Sequence, residues 1–533
     1  MSMWPSLQEH NLEKSGSALV LVAALLVRWL VSLHSYSGMS TPPMFGDFEA
    51  QRHWMELTFH LPVADWYFYD LQYWGLDYPP LTAYVSYFFG YVAQFVEPEL
   101  VALKASRGYE TATGKVFMRV SVLVCDLVVF MPSLLLLAKG IYKRQWALRM
   151  EFLMLVLLQP AFILIDHGHF QYNNVSLGFT TLSVACILQD YEVLGSIFFS
   201  CALNFKQMAL YYAPAITFYL VAKCLYRPNF FLHFAKLGAA VIGSFAVLWL
   251  PLCASGLSEC GTTIAQMLHR VFPIARGLFE DKVANVWCCV DLFWKLRHRV
   301  APQHLVYLCT AATFVGFLPS IVDLVRRRPT RVRFFLALFN SSMSFFLLSF
   351  QVHEKTILLP LLPMTFLLSE APLLASWFGL LATFSMHFLL VKDGLVVPYI
   401  VAIIGYTAFG IVPHLWQSRL STAPSAPGLP PSGSPPLWQR IYVVVQCVFI
   451  ICTFPTKSMV GIYCGHCDLA SPGLVGGPAI QVPPHPRVLV CPVLVWSFCP
   501  GAGIHDVLAV DGAGTHGRRR KRQSRVMNDG TYK

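Results

Sequence analysis

The sequence predicts an all-α polytopic membrane protein. Of its 533 residues, 56% are hydrophobic and only 13% are charged, and the mean hydropathy of +0.55 is well above the usual balance of a soluble protein. Apolar runs of about 16 to 22 residues recur along most of the chain, and a helix of this length crosses a hydrocarbon core of about 30 Å. Because lipid offers the backbone no hydrogen bonds, the spanning elements are expected to be helices.

The first apolar run, residues 18–33, is expected to open the membrane domain. It follows a polar segment, residues 1–17, and no small-residue cleavage site comes after it. We therefore predict a retained helix with a cytosolic N-terminus rather than a removed signal peptide. Further spans are predicted from apolar length and composition at residues 117–138, 151–165, 175–188, 194–203, 208–225, 234–253, 306–325, 334–350, 357–368, 373–390, 396–412, 441–454 and 488–499.

The basic residues set the expected orientation. Lys and Arg gather in three clusters, at residues 139–149, 223–236 and 326–333. Because such clusters are retained in the cytoplasm, we attribute the net charge of +11 to topology and not to nucleic acid, for which the sequence has no binding motif. If residues 81–96 crossed the membrane, the basic cluster at residues 139–149 would lie on the exoplasmic side. A helix on the membrane surface is therefore predicted at residues 81–96. Two large exoplasmic loops follow, at residues 35–115 and 254–305.

With this orientation the polar stretches between spans all fall on the exoplasmic side. They lie at residues 42–84, 165–174, 204–207, 270–287 and 351–355. A transporter is expected to hold several charges near the bilayer midplane within broken helices and to carry inverted repeats. Here the charges stand at helix ends and no such repeat is detected. We therefore predict a site at the membrane interface to which five loops contribute.

The stretch FGDFEAQRHW, residues 45–54, carries two acids separated by one residue. If this segment is helical, Asp47 and Glu49 point about 200° apart, so only one of them faces a reacting group. An exoplasmic carboxylate beyond a helix end suits a general base that takes the proton of a sugar hydroxyl. The alternative is structural: Asp47 caps the helix, and Glu49 pairs with Arg52 three residues later.

Two further stretches suit the binding of a sugar. LQYWGLDYPPLTAY, residues 71–84, combines Trp74, Asp77 and Tyr78. Such side chains stack on a sugar face and bond its hydroxyls, although Trp and Tyr also mark membrane interfaces. IDHGHFQYNN, residues 165–174, holds an aspartate and two histidines. A fourth metal ligand at a familiar spacing is missing, so polar lining of a cavity is favoured over a metal site.

Cationic groups occur in three of the polar stretches. Lys206 lies at a helix mouth, Arg276 lies within RVFPIARGLFEDKVANVW, and His353 and Lys355 lie within FQVHEKTIL. Cations at a membrane surface suit a lipid phosphate, which they bind through charge-assisted hydrogen bonds. The alternative for each stretch is a solvated loop whose charges pair with one another.

Several of these stretches together resemble one family. The resemblance rests on PPMFGDFEAQRHWMEL, LQYWGLDYPPLTAY, LIDHGHFQYN, FKQMALYYAP, FPIARGLFEDKVANVWC and SFFLLSFQVHEKTIL. These segments are similar to those of the endoplasmic-reticulum dolichyl-phosphate-glucose glucosyltransferases, and the resemblance covers about residues 20–455. Within the family, GDFEAQRHW and RGLFEDKVANVW favour the branch that adds the first glucose over the sister branch that adds the second.

The resemblance implies a fold, a location and a reaction. The fold is GT-C, with surface helices on a large first luminal loop, in the endoplasmic-reticulum membrane. Dolichyl phosphate β-glucose is the implied donor, and Man9GlcNAc2-PP-dolichol is the implied acceptor, whose terminal mannose receives glucose in an α-1,3 link with inversion. The implied partners are these two lipid-linked substrates and membrane lipid. No cofactor and no metal are implied, and no protein partner is assigned.

The resemblance also assigns roles to individual residues. Asp47, the acid of the GDFE motif, is the expected base. The expected ligands of the donor phosphate are His353 first, followed by Lys355, Lys206 and Arg276. The expected sugar-binding residues are Glu49, Trp74, Asp77, Tyr78 and Trp287.

The resemblance ends near Pro455, so residues 18–455 are expected to form the membrane domain. Residues 456–533 form a divergent segment rich in Gly and Pro, whose basic tail GRRRKRQSR is expected in the cytoplasm. Two other function classes stay open: a transporter of polyprenyl lipid or sugar, and an oligosaccharide-binding subunit that would tolerate the loss of Asp47.

Overall fold

The computed structural model describes residues 3–254, 256–272, 283–413 and 415. The chain is helical there and these residues contain no strand, which confirms the all-α prediction. Six helical stretches are long and apolar enough to cross a membrane: Glu13–Ser32, Ala112–Tyr142, Gln207–Leu225, Phe230–Cys253, Pro302–Arg326 and Arg331–Leu348. The predicted spans at residues 441–454 and 488–499 and the divergent segment 456–533 lie outside the described residues.

The α-helices of the described residues are connected by turns and by longer loops, the longest of which joins α3 to α4. In chain order they are α1 (Met3–Glu9), α2 (Glu13–Ser32), α3 (Gly46–His60), α4 (Pro80–Val96), α5 (Ala112–Cys125), α6 (Met131–Tyr142), α7 (Trp146–Leu157), α8 (Pro160–Ile163), α9 (Asn173–Leu188), α10 (Glu192–Phe205), α11 (Ala213–Leu225), α12 (Phe230–Trp249), α13 (Leu257–Val271), α14 (Val286–Trp294), α15 (Leu296–Arg299), α16 (Pro302–Arg326), α17 (Arg331–Leu348), α18 (Leu358–Phe366), α19 (Pro372–Ser385), α20 (His387–Lys392) and α21 (Val396–Gly405). Segments of π-helix continue α5, α8 and α21, at Asp126–Phe130, Leu164–Phe170 and Tyr406–Ile411.

Several predicted spans correspond to helices shorter than a bilayer crossing. The helices α9, α10, α19 and α21 belong to this group, and α18 has only nine residues. The residues of α9 and α18 are buried on nearly all sides, as expected for helices that are apolar all round and lie in a protein interior. By contrast, α7 and the stretch Pro160–Phe170 are long and apolar enough to cross a membrane only when they are taken together. The two helices are bent by 49° at the break between them.

The amphipathic helix α4 lies on α3. Its inner face carries small side chains, and a Cβ on Gly90 would come within 2.5 Å of the Met55 carbonyl oxygen, so the close contact between the two helices requires glycine at this position. Its outer face exposes Tyr87, Phe88 and Phe95. This helix is not among the candidate spans in the described chain, and its placement on the membrane surface stays a prediction.

A charged pair lies inside two of the spans. Arg28 of α2 and Asp126 after α5 are both buried, and Arg28 Nε donates to Asp126 Oδ2 at 2.6 Å. The same oxygen lies 3.0 Å from His167 Nε2 and accepts from Asn174 Nδ2 at 3.1 Å. The expectation that charges stand only at helix ends is therefore wrong. Because the two charges compensate each other within the bundle, we interpret the pair as a structural tie between α2 and α5.

Replacing Asp126 by Asn is expected to destabilise the protein. Asp126→Asn leaves the Arg28 guanidinium buried without a counter-charge, which lowers the free energy of unfolding by about 3 to 5 kcal/mol. Asp323→Asn is the matched control, since Asp323 is 32% exposed where it contacts Arg327 and Arg333 and its loss costs about 0 to 1 kcal/mol. Thermal unfolding in detergent compares the two variants, and equal unfolding midpoints would contradict the structural role of the buried pair.

Candidate active site

A cavity of about 370 Å³ lies where the polar loops meet. Each of the five stretches predicted to converge contributes a lining side chain, namely Asp47, Gln171, Lys206, Arg270 and His353. The predicted convergence is therefore confirmed. Aromatic and apolar side chains line the cavity together with these ionisable and amide groups, a mixture expected of a site for an amphipathic ligand.

Two glycines set the position of Asp47. Gly38 and Gly46 have φ angles of +80° and +71°, and a Cβ on Gly46 would stand 2.8 Å from the Gly38 nitrogen. Only glycine fits a contact this close in this backbone conformation. Since α3 begins at Gly46, Asp47 falls in its first turn, where the helix dipole favours a negative charge.

The Asp47 carboxylate is the centre of a hydrogen-bonded cluster. Its Oδ2 accepts from the Lys355 ammonium and from the Gln171 amide, and it lies 3.0 Å from His169 Nε2. The side chain is 25% exposed and lines the cavity, so a substrate hydroxyl can reach it. Asp47 does not cap α3, because the helix has no side-chain cap bond. The capping alternative is therefore wrong.

The surroundings of Asp47 keep it ionised. Burial disfavours the charge, but the positive charge of Lys355 and, when its ring is cationic, the hydrogen bond from His169 hold the pKa of the Asp47 carboxyl well below its ordinary value. A carboxylate in this state can accept a proton at neutral pH. Its affinity for that proton rises if Lys355 moves to another anion.

A second carboxylate lies behind Asp47, on the far side of His169. Nδ1 of His169 lies 2.5 Å from Asp393 Oδ2, and Nε2 lies 3.1 Å from Lys355 Nζ. Asp393 follows α20, and its side chain is 3% exposed. The imidazole therefore bridges a buried carboxylate and the carboxylate of the cavity.

Lys206 supplies a second ammonium group to the cavity. Its Nζ donates to Gln171 Oε1 at 3.0 Å and to Asn173 Oδ1 at 2.5 Å, and it lies 4.9 Å from the centre of the Tyr78 ring. Burial, together with the positive charge of Lys355, lowers the pKa of Lys206 to about 8. The ammonium is thus charged at neutral pH and loses its charge as the pH rises through about 8. Its amide partners are neutral, so it can still pair with an anion.

His353 lines the cavity just before the turn Glu354–Ile357. Burial, and then the charge of Lys355, lowers the pKa of His353 to about 3. The imidazole is therefore neutral at physiological pH, and it can serve a phosphate as a hydrogen-bond donor rather than as a charge.

Three of the side chains that are predicted to bind sugar lie at the cavity beside the ionisable groups. Trp74, Asp77 and Tyr78 all line the cavity. The Trp74 indole donates to the Met44 carbonyl at 2.5 Å, and the Tyr78 ring packs 4.9 Å from the ring of Trp54. These contacts hold aromatic rings at the wall of the cavity, in a position suited to stacking on a sugar.

Two other predicted sugar-binding residues are placed elsewhere. Glu49 is 2% exposed and accepts two bonds of 2.7 Å from Arg52 and one of 2.9 Å from the Tyr73 hydroxyl. Trp287 is buried and donates to the Leu348 carbonyl at 2.8 Å. Neither side chain lines the cavity, so the structure does not bring them together with the other predicted sugar-binding residues, and it confirms the pairing of Glu49 with Arg52. Arg276, a predicted phosphate ligand, lies outside the described residues.

The polar cluster of residues 165–174 points in separate directions. Asp166 accepts from Asn173 at 2.8 Å and from the Asn174 backbone at 2.6 Å. His167 turns towards Asp126, whereas His169 turns towards the cavity. Across the described part of the chain, no group of three or more His, Cys, Asp or Glu side chains is arranged to hold a metal ion.

Several residues of the site were not predicted from the sequence. Gln171 and Trp54 line the cavity, and Asp393 contacts His169, but none of the three was predicted. The predicted topology contained a signal for one of them, because the turn between the spans at 373–390 and 396–412 falls on the exoplasmic side. Asp393 is the acid of that turn.

Comparison with known proteins gives one consistent result. The family model described as the ALG6, ALG8 glycosyltransferase family matches residues 24–470, which extends beyond Pro455, where the resemblance had been expected to end. A Gallus gallus protein named dolichyl pyrophosphate Man9GlcNAc2 alpha-1,3-glucosyltransferase is 46% identical over 395 residues, covering 73% of this chain and 77% of that protein.

Similar proteins occur in distant eukaryotes. A Dictyostelium discoideum protein with the same name, marked probable, is 46% identical over 74% of this chain and 77% of its own. A Saccharomyces cerevisiae protein of that name is 42% identical over 76% of this chain and 77% of its own. The match covers most of the sequence, including every stretch that lines the cavity, and this chain belongs to the ALG6, ALG8 glycosyltransferase family.

Proposed function

We propose that this chain transfers the first glucose from dolichyl phosphate β-glucose to the terminal mannose of Man9GlcNAc2-PP-dolichol, in an α-1,3 link with inversion. The observation that carries the proposal is the ionised Asp47 carboxylate in a cavity that also holds cations and aromatic rings. The names of the similar proteins support the acceptor and the linkage. This glycosyl transfer has a place in the assembly of the N-linked glycan precursor.

In this mechanism Asp47 is the base that takes the proton of the attacking hydroxyl. The mannose hydroxyl attacks the anomeric carbon of glucose from the face opposite the phosphate, and Asp47 takes its proton. The bond from the anomeric carbon to the phosphate oxygen breaks, and its electron pair leaves on dolichyl phosphate. A phosphate of this kind leaves without protonation, so no general acid is required.

The donor phosphate is expected to bind Lys355, His353 and Lys206. Lys355 contributes a charge and His353 a neutral donor, while Lys206 lies on the same cavity wall, 3.0 Å from Gln171. In the structure Lys355 donates to Asp47. A donor phosphate competes with Asp47 for this ammonium, so donor binding raises the proton affinity of the base at the moment when it is needed.

We assign the cavity to the luminal side of the endoplasmic-reticulum membrane, within a GT-C fold. Cys253, at the end of the candidate span Phe230–Cys253, forms a disulfide with Cys260 of α13, and Arg270 of the same helix lines the cavity. An oxidising compartment favours such bonds. The basic groups Lys139 and Arg326 occur in the last turns of α6 and α16, at the opposite ends of the helices from the loops that form the cavity. This separation agrees with the retention of positive charge in the cytoplasm.

Removing the base is expected to abolish transfer. Asp47→Asn is nearly isosteric but cannot take a proton, so glucose transfer falls by at least about 100-fold while donor binding is retained. The control is Asp65→Asn, because Asp65 is an exposed aspartate in the same loop that does not line the cavity. Equal transfer by wild type and Asp47→Asn would remove Asp47 from the mechanism.

The acceptor is tested in the same assay. Purified chain receives dolichyl phosphate glucose and either Man9GlcNAc2-PP-dolichol or the same lipid already carrying one glucose. We expect transfer to the first acceptor only. Transfer to the monoglucosylated acceptor alone would assign the chain to the step that adds the second glucose.

Because of Lys206, kcat/KM for the donor is expected to fall at alkaline pH. Because the pKa of Lys206 lies at about 8, kcat/KM for the donor falls as the pH rises through that value and the ammonium becomes neutral. Lys206→Arg keeps its charge throughout this range, so its profile stays flat, whereas Lys104→Arg, an exposed control outside the cavity, keeps the wild-type fall. An unchanged alkaline limb in Lys206→Arg would exclude Lys206 as a phosphate ligand.

A further inference from the structure

His169 stands between two carboxylates. Its Nδ1 lies 2.5 Å from Asp393 Oδ2 and its Nε2 lies 3.0 Å from Asp47 Oδ2. Because an ionised carboxylate can only accept, the proton of the first contact belongs to Nδ1. Nε2 then carries a proton only when the ring is cationic.

Both protonation states of the ring have complete hydrogen bonding. In the neutral ring Nε2 accepts from Lys355, whose Nζ lies 3.1 Å away. In the cationic ring Nε2–H donates to Asp47, and Lys355 keeps its own bond to Asp47. A group with partners in both states can gain and lose a proton without leaving a buried polar atom unsatisfied.

We infer that His169 is a second proton acceptor of the transfer reaction, and that Asp393 is the positioning residue that holds the ring ready for this role. The inference rests on the proposed function and extends it. Asp47 takes the proton of the mannose hydroxyl, and the proton then passes from Asp47 Oδ2 to His169 Nε2. Asp47 returns to a carboxylate, and the imidazolium is compensated by Asp393.

The proton balance closes within the cluster. The hydroxyl O–H bond breaks as the Asp47 O–H bond forms, and this bond breaks in turn as the Nε2–H bond of His169 forms. After the product leaves, the proton returns through Asp47, which is 25% exposed, to the lumen. The second acceptor matters because it restores the Asp47 carboxylate, which Lys355 and Gln171 bind as hydrogen-bond donors.

The backbone around His169 is held in place for this transfer. Buried Arg119 donates to the carbonyls of His167 at 2.6 Å and Gly168 at 2.9 Å. On the other side, the Asp393 carbonyl accepts from the Ser35 hydroxyl. The backbone next to His169 and the backbone of Asp393 are therefore both held by groups outside the cavity. No large rearrangement is needed to bring the imidazole to either carboxylate.

Two variants separate proton transfer from structure. His169→Asn keeps an amide donor near the place of Nδ1 for Asp393 but cannot take a proton. Asp393→Asn keeps the size of the side chain, but its amide can donate to Nδ1, so the ring proton moves to Nε2 and closes the acceptor position. Asp291→Asn is the control, since Asp291 is a buried aspartate paired with Arg297 outside the cavity.

The measurements are the transfer rate at saturating donor and acceptor, the donor Kd and the thermal unfolding midpoint. We expect His169→Asn and Asp393→Asn to lower the transfer rate by about 100-fold, with unchanged donor Kd and an unfolding midpoint close to that of Asp291→Asn. Wild type should also lose rate at acidic pH, as His169 is protonated from solvent, and His169→Asn should lack this limb. The groups that face His169 in this titration are Asp47, Asp393 and Lys355, with Lys206 and His353 on the same cavity.

Each outcome decides the inference. Wild-type rates in both variants, with Asp47→Asn inactive, would overturn the role of His169 and leave the proposed function standing. Slow transfer accompanied by lost donor affinity or a lowered unfolding midpoint would assign His169 and Asp393 to structure only. No transfer by wild type to either acceptor would overturn the proposed function together with the inference.

Discussion

The contact between Asp47 and Lys355 is the interaction on which the site depends. It joins residues 308 positions apart in the sequence, and it brings the first turn of α3 against the turn that precedes α18. In a partly buried site the attraction of the two charges is screened less than in water. The pair therefore fixes the mutual position of the proposed base and the proposed phosphate ligand before any substrate binds.

A π-helical turn links this contact to the membrane interior. His167 and His169 are two residues apart in the segment Leu164–Phe170, and they face different carboxylates. His167 contacts Asp126, which ties α5 to α2, whereas His169 contacts Asp47 at the cavity. The same turn thus takes part in the buried charge network of the bundle and in the site, so the packing of the spans determines where the imidazole of His169 lies.

Much of the site could be predicted because polar groups are rare in an apolar chain. The five stretches were found as interruptions between runs, and the parity of the spans brought them to one face. Asp47 and Glu49 point apart, as their spacing in a helix predicted, since Asp47 faces the cavity and Glu49 faces Arg52. Which of the two would face inward was not determined by the spacing and came from the family resemblance.

Other features depend on tertiary contacts that a linear pattern does not contain. An apolar run does not reveal whether lipid or protein covers it, so the interior helices α9 and α18 were predicted as ordinary spans. Trp287 was assigned to sugar through the family resemblance, and its indole is turned to the Leu348 carbonyl. Asp393 stands alone in an apolar region, and only the fold shows that it lies next to His169.

The most direct test is a structure of the wild-type chain bound to a dolichyl phosphate glucose analogue with a non-cleavable phosphonate link. We expect a phosphonate oxygen within hydrogen-bond distance of both Lys355 and His353, with Asp47 on the opposite side of the anomeric carbon. A phosphonate group remote from Lys355 and His353, or one that lies on the same side of the anomeric carbon as Asp47, would contradict the proposed mechanism.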